Sequence, residues 1–459
     1  MTGSTRGPVG LALLLAAGCG GDDEPVAPTW PDRWHVADAI RDRQGRSVVL
    51  RGVNVANEHK QAPYLGFHQP EDYARIRDAW GMNSVRFLLT WAAVEPARGE
   101  LDADYLAALV ERIRWAGEAG LWVVLDMHQD VYGEGFGGDG APRWTCDEEH
   151  YQAFEPTSPW FMNYADEHVV ACFDQLWGSA ELREHFADAW AAVAAALVDE
   201  PAVIGFDVIN EPYWGSQAPT AFEAGALSDF HEQVVARVRE HAPAWLAFVE
   251  PSAGRNLGIP TSLRPFAFDD AVYAPHSYDA AAESGEGFDP AGRNGLILRL
   301  GLYAEEARSL GAALWIGEYG GNPDDPGITE YMDAQYDGAA AVAASTMYWA
   351  YDRDDGYGLL RPDGAEKPLL LDVLVRPYPE RVAGSLLEYH YDEQQRRLTV
   401  RYEADERVSA PTVIRVPARV YPSGVTVQCG GCQVDERPGE VLLSGGPESG
   451  EVAVEISPR

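Results

Sequence analysis

The sequence predicts an α/β protein, a closed (β/α)8 barrel followed by a C-terminal antiparallel β-sandwich. Three observations carry that prediction. Between about residues 45 and 375, eight short apolar runs alternate with amphipathic helical stretches, the pattern of parallel strands covered on both faces. After Arg376-Pro377-Tyr378-Pro379 the pattern changes to period-two alternation broken by Gly/Pro turns, with no helical stretch. The charge divides at the same place. The 459 residues carry a formal net charge of −37, yet residues 381–459 hold 12 acidic side chains against 9 arginines.

Residues 1–19 stand apart. Val9–Ala17 is an unbroken apolar run after Arg6, the length of a signal-peptide core and too short to span a bilayer. It ends in Ala16-Ala17-Gly18-Cys19 ahead of a polar tether over 20–33. This resembles a bacterial lipoprotein signal, in which Cys19 becomes the lipidated mature N-terminus. Ala16 stands where such signals usually carry Leu. The expected location is therefore outside the cytoplasm, as a cell-envelope lipoprotein or a secreted protein. Setting Cys19 aside leaves four cysteines, an even number suited to an oxidising compartment. The most economical pairing is Cys146–Cys172 across one long loop and Cys429–Cys432 closing a Cys-Gly-Gly-Cys turn.

The barrel is expected over 34–380 and the sandwich over 381–459. The eight strand candidates are Val48–Val55, Ser84–Leu89, Trp122–Met127, Val203–Ile209, Leu246–Glu250, Ala271–His276, Ala313–Gly317 and Thr346–Tyr351. Helical periodicity falls on Glu71–Trp80, Leu106–Ala119, Leu182–Val198, Phe222–His241 and Leu296–Leu310. A doubly wound open sheet would also alternate in this way, but it would want a glycine-rich phosphate turn after an early strand, and none is present. The sandwich strands are placed at Ser385–Tyr391, Leu398–Glu403, Thr412–Val416, Val425–Gln428, Glu440–Leu443 and Glu451–Ile456. The charge of −37 argues against nucleic acid and against docking on anionic lipid through a basic patch.

Barrel enzymes draw their active groups from the C-terminal ends of the strands. Strand two carries Arg86. Strand three ends in Asp126-Met127-His128-Gln129-Asp130, strand four in Asn210-Glu211-Pro212, strand six in His276-Ser277-Tyr278, strand seven in Glu318 and strand eight in Trp349. Two glutamates thus converge on one rim, as a retaining glycosidase requires. One carboxyl must be protonated to release the leaving oxygen, and the other ionised to attack the anomeric carbon. The charge of the attacker should raise the pKa of its neighbour and keep the proton there. Asn210 would bond the sugar 2-hydroxyl, Arg86 would hold the attacker ionised, and Trp349 would floor the ring. His128 and Asp130 have the spacing of a metal pair but lack further ligands nearby, so no metal and no cofactor is expected.

Arg86, His128, Asn210-Glu211-Pro212, His276-x-Tyr278, Glu318 and Trp349 resemble, in order and strand by strand, the characteristic set of glycoside hydrolase family 5. RGVNVANEHK, SVRFLLTWAAVEPARG, LDMHQDVYG, GAPRW, INEP, FEAG, GEYGG and VRPYPERVAG look like the endoglycoceramidases of that family, as does the appended β-sandwich. The resemblance implies Glu211 as general acid/base and Glu318 as nucleophile. It also implies sugar contacts from Lys60, Asp130 and Trp160, and hydrolysis of the β-linkage between a glycan and ceramide. Two stretches depart from the pattern, the bulky turn Pro212-Tyr213-Trp214-Gly215 and the middle of the 130–172 insertion. Eight aromatics in that insertion suggest a wall for hydrocarbon tails, or a loop packed on itself. The competing readings are a family 5 β-glucosidase or endoglucanase acting on glucosylceramide, steryl glucosides or β-glucan, and a non-catalytic glycolipid-binding lipoprotein. The expected partner is a glycosphingolipid, met by a monomer that reaches the membrane through its lipid anchor and an apolar groove.

Overall fold

The computed structural model describes residues 30–446 and 450–459, with Met1 and Gly3; Val9–Ala17 and Cys19 lie outside the described residues. Among the described residues the first strands are three of two residues each, β1 (His35–Val36), β2 (Ile40–Arg41) and β3 (Ser47–Val48). The next eight are β4 (Arg51–Val55), β5 (Ser84–Thr90), β6 (Trp122–His128), β7 (Val203–Asp207), β8 (Leu246–Val249), β9 (Ala271–Tyr273), β10 (Ala313–Tyr319) and β11 (Ser345–Tyr351). They close a barrel of wholly parallel pairs, with β11 returning to β4. Their side chains are buried almost without exception, which is why they read as continuous apolar runs. Inside, Leu50, Val124, Ile204, Phe248, Trp315 and Met347 form a packed plug, closed from the N-terminal end by Trp34 lying edge-on to Trp122. The functional groups are thereby confined to the opposite rim.

Helices cover the barrel. The one over Ala103–Glu118 begins where the Asp102 carboxylate accepts from Tyr105 N–H and buries Tyr105, Leu109, Ile113 and Ala116 at helical spacing. Two expected helices are interrupted by π turns. Glu71–Trp80 becomes Pro70–Ala74 followed by Arg75–Ala79, and Phe222–His241 becomes Pro219–Phe222, Glu223–Leu227 and Ser228–Arg239.

The remaining strands are β12 (Tyr378–Val382), β13 (Gly384–Asp392), β14 (Arg397–Ala404), β15 (Thr412–Arg415), β16 (Val425–Cys429), β17 (Gln433–Arg437), β18 (Glu440–Ser444) and β19 (Gly450–Pro458). They form two antiparallel sheets, ordered β1-β2-β3-β12-β15-β18-β17 and β13-β14-β19-β16. One sheet therefore takes strands from both sides of residue 380. The expected strand Val48–Val55 is divided, with β3 in that sheet and β4 in the barrel. The Val49 N–H bonds to Glu380 O and the Leu50 N–H to Ser345 Oγ as the chain crosses between them. Sequence patterning missed β12, which contains Pro379, and β17, whose five residues are all exposed and so show no apolar alternation.

The sandwich packs on the N-terminal end of the barrel. Arg51, at the start of β4, bonds Tyr389 Oη and lies over the rings of Tyr336 and Tyr378. Buried Glu380 is shared by Arg77 of the barrel and by Arg381 and Arg415 of the sandwich. Both expected disulfides are formed, Cys146–Cys172 and Cys429–Cys432. Among the described residues no helix is long and apolar enough to cross a membrane.

Candidate active site

Arg86 points from β5 into the barrel and is completely buried. Its guanidinium donates to Glu318 Oε1 at 2.7 Å, Glu250 Oε1 at 2.9 Å, Asp207 Oδ2 at 3.0 Å, Asn210 Oδ1 at 3.0 Å and Asn54 Oδ1 at 3.1 Å, and Asp126 Oδ1 pairs with its charge at 2.9 Å. A planar fork with five N–H donors is the side chain that can serve so many acceptors at once. Burial, and then the neighbouring Glu250, raise Asp207 well above the ordinary carboxylate range.

Glu211 follows β7 on a turn with φ of 40°, a conformation that non-glycine residues adopt only when their surroundings enforce it. The enforcement is visible. Glu211 N–H donates to Glu250 Oε2 at 2.8 Å, and Gln129 Nε2 donates to the carbonyls of Asn210 (3.0 Å) and Glu211 (2.9 Å). Asn210 also gives one amide hydrogen to Gln129 O at 3.1 Å, leaving the other for a ligand.

Glu318, on β10, accepts from Arg86 and from Tyr278 Oη at 2.9 Å. Its carboxylate lies with that of Glu211 and the His276 ring in one group whose ligand atoms are all within 4.8 Å of each other. The side chain of Glu211 is 16% exposed and that of Glu318 7%, so the former has the better access to solvent. His276 bridges the pair, with Nδ1 2.8 Å from Glu211 Oε1 and 3.5 Å from Glu318 Oε2, and with Nε2 3.2 Å from Glu250.

This bridge shifts the two carboxyls in directions opposite to those expected. Burial pushes Glu211 up, but the hydrogen bond and charge of His276 outweigh it and hold the carboxyl below its ordinary value. Glu318 is raised, burial prevailing over His276, Arg86 and His128. For His276 burial works downward, and the charges of Glu250 and Glu318 overcome it and carry the ring well above its ordinary value. Sequence reading saw two carboxylates repelling each other. In the folded site the His276 ring stands between them, closer to Glu211.

The remaining expected residues line the same cleft. His128 donates from Nδ1 to Asp126 Oδ2 at 2.8 Å and stacks on Trp349, their ring centroids 5.3 Å apart. Lys60 pairs with Asp130, reaches Asp139 at 3.7 Å, and sets its ammonium 4.6 Å from the Trp349 ring centroid. Trp160, Tyr278 and Asn210 complete the lining, with Phe161, Glu283 and Tyr357 beside them. His128, Asp130 and Asp139 could together ligate a cation, but the Lys60 ammonium already pairs with both carboxylates.

Several functional positions escaped the sequence. Asn54 and Glu250 both bond Arg86 and stand at the ends of β4 and β8, the two barrel strands whose ends were not read. Asp126 and Gln129 lay inside a stretch singled out for its neighbours. Asp139, lifted by burial to about 7, reaches the cleft because its backbone pairs with that of Asp130 in both directions, a loop closure no spacing rule reveals. Of the insertion's aromatics, Tyr132, Phe136, Tyr151 and Tyr164 are buried, and Phe136 packs against Tyr132, Tyr151 and Phe154. The loop is thus largely packed on itself, and Trp160 and Phe161 are the exposed rings it turns to the cleft.

A parallel eight-stranded barrel whose rim holds two carboxylates within one saccharide's reach defines the class of retaining glycoside hydrolases. Residues 42–355 match the Cellulase (glycosyl hydrolase family 5) domain, and residues 376–456 match the glycoside hydrolase family 5 C-terminal domain. The chain belongs to glycoside hydrolase family 5. It is 29% identical to Endoglycoceramidase I of Rhodococcus hoagii, across 94% of this chain and 89% of that one. It also superimposes on endo-glycoceramidase II from Rhodococcus sp., solved with ganglioside GM3, at TM-score 0.84 and 32% identity, covering 92% of this chain and 99% of the other. The same Rhodococcus enzyme, solved as a lactosyl-enzyme intermediate, matches at TM-score 0.82 and 33% identity with the same coverage.

Proposed function

We propose that this glycoside hydrolase cleaves the β-glycosidic bond between the glycan and ceramide of glycosphingolipids, releasing an intact oligosaccharide with net retention. The observation that carries the reading is the Glu211–Glu318 pair, with carboxylate oxygens within 4.8 Å and both side chains on one cleft. The separation suits a nucleophile in direct contact with the anomeric carbon and leaves no room for an intervening water. Correspondence with endoglycoceramidases along almost the whole chain supports the substrate class.

In this reading Glu318 attacks the anomeric carbon as Glu211 gives a proton to the departing ceramide oxygen. Once Glu318 is esterified its charge is gone. Glu211, now the base, takes a proton from water, and the hydroxide released to the anomeric carbon frees Glu318. The Asn210 amide is offered to the sugar 2-hydroxyl and the Trp349 ring to its apolar face. Trp160 and Phe161 at the rim suit an aglycone with hydrocarbon chains.

The test is product identity. Lactosylceramide should yield lactose and ceramide, whereas glucosylceramide, steryl glucosides and cellulose should yield little glucose. The opposite preference would move the chain to the monoglucosidases of its family, and tight binding without turnover would make it a glycolipid-binding protein. Glu318→Gln should abolish hydrolysis at every pH. Azide should restore turnover of an activated aryl lactoside to Glu211→Ala and give the β-glycosyl azide, an α product being incompatible with retention.

We further read the protein as exported and anchored through Cys19. Support comes from the Val9–Ala17 run and from two disulfides, which persist in oxidising compartments. Mass spectrometry of the mature N-terminus from membranes tests this, a diacylglyceryl Cys19 being expected. The protein should elute as a monomer.

A further inference from the structure

The loop after β8 is held firmly at both ends. Ser252 N–H and Oγ donate to Glu223 Oε1 at 2.9 and 2.7 Å, while Thr261 Oγ1, at 2.9 Å, and Ser262 N–H donate to Oε2 of the same carboxylate. Glu223 is buried and sits at the start of the π turn that interrupts its helix, a device frequent at functional sites. One side chain thus staples both ends of the 252–262 segment. Arg255 adds a bond to Glu306 at 3.0 Å.

The tip of that loop meets the catalytic turn. Ala253 N–H donates to Pro212 O at 3.1 Å, and Asn256 Nδ2 donates to Glu211 Oε1 at 2.6 Å. His276 Nδ1 is bonded to the same oxygen. Among the described residues no hydrogen bond reaches Oε2. An oxygen engaged by two donors has its lone pairs committed to them, so the proton for the leaving group belongs on the other oxygen.

We propose that Asn256 is a positioning residue that turns Glu211 so that Oε2 faces the leaving oxygen, and that Glu223 serves this end by fixing the loop that carries Asn256. The inference rests on Glu211 being the acid/base group.

The experiment uses the full-length enzyme with lactosylceramide in detergent micelles and with 2,4-dinitrophenyl β-lactoside, whose leaving group needs no protonation. Asn256→Ala should lower kcat/KM on the glycolipid about 10–100-fold, in line with losing a charge-assisted hydrogen bond, and lower it far less on the aryl lactoside. When the second step limits turnover of the aryl lactoside, Glu318 is esterified and the acidic limb of kcat reports Glu211 alone. The Asn256 donor stabilises the ionised form, so its removal should move that limb up by about one pH unit. Glu223→Gln should reproduce the shift in part, and adding it to Asn256→Ala should move the limb no further, because Glu223 acts through Asn256. Equal losses on both substrates with an unmoved limb would overturn the proposal and leave the loop structural. Should Glu223→Gln fail to fold, Asn256→Ala decides alone. Glu211→Ala separates the two readings. If it fails to spare the aryl lactoside's first step, the acid/base assignment has fallen. If it does spare that step and Asn256→Ala does not, only the present proposal falls.

Discussion

Arg86 shows why single residues here resist conservative exchange. Its five donors meet three carboxyl groups and two amides, with Asp126 paired beside them, and an ammonium on a flexible stem cannot reproduce that fork. Arg86→Lys should cost at least about 100-fold in kcat through loss of fixed electrostatic orientation, with a lower thermal midpoint, both measurable on purified protein. His128 offers a pH test. Burial and Lys60 oppose its protonation, but the charge and hydrogen bond of Asp126, helped by Asp130, lift the ring from 6.5 to about 9. Its contribution to stability is therefore fully present below about pH 6.5 and is lost as the pH rises through about 9. A plot of thermal midpoint against pH should fall across that window, and His128→Gln should flatten it. Residue identities at the strand ends were legible in the sequence, including the nine that line up with the family set. The direction of their pKa shifts was not, because it depends on a ring entering between two carboxylates that the sequence places 65 and 42 residues away from it.

At the scale of elements, alternation of apolar runs was enough to locate all eight barrel strands, since each is buried on both faces and keeps no polar register. What failed were elements without such contrast: β17, exposed throughout, the proline-bearing β12, and the two helices broken by π turns, whose apolar spacing continues across the break. The join between barrel and sandwich was also invisible, because it rests on Glu380 meeting arginines from three separate segments. Burial raises the Glu380 carboxyl, yet Arg415, Arg77 and Arg381 more than offset it and hold it below its ordinary value. The stability it supplies is present above its unfolded pKa and lost as the pH falls through the lower folded one. Glu380→Gln leaves buried arginines short of a counter-charge and should cost about 3–5 kcal/mol, read as a lower urea midpoint. KM should be unchanged, since Glu380 sits at the barrel end away from the cleft.

For the whole molecule, charge and topology set the terms. With a net charge of −37, the enzyme should repel sialylated lipids and anionic bilayers over a distance set by salt. Hydrolysis of an acidic ganglioside should therefore accelerate as sodium chloride is raised from about 10 to about 150 mM, with neutral lactosylceramide as the unresponsive control. Flat behaviour for both would mean that the charge lies far from the cleft. The cleft-lining residues run from Asn57 to Tyr357, so the sandwich acts as a base plate on which the reaction does not depend directly. That plate is sewn from the two ends of the chain: β3 pairs with β12, and β12 with β15. During synthesis, then, the opening strands wait with a bare edge until the final fifth of the polypeptide has emerged. A chain cut before β12 leaves the β3 edge unpaired and open to pairing with other chains.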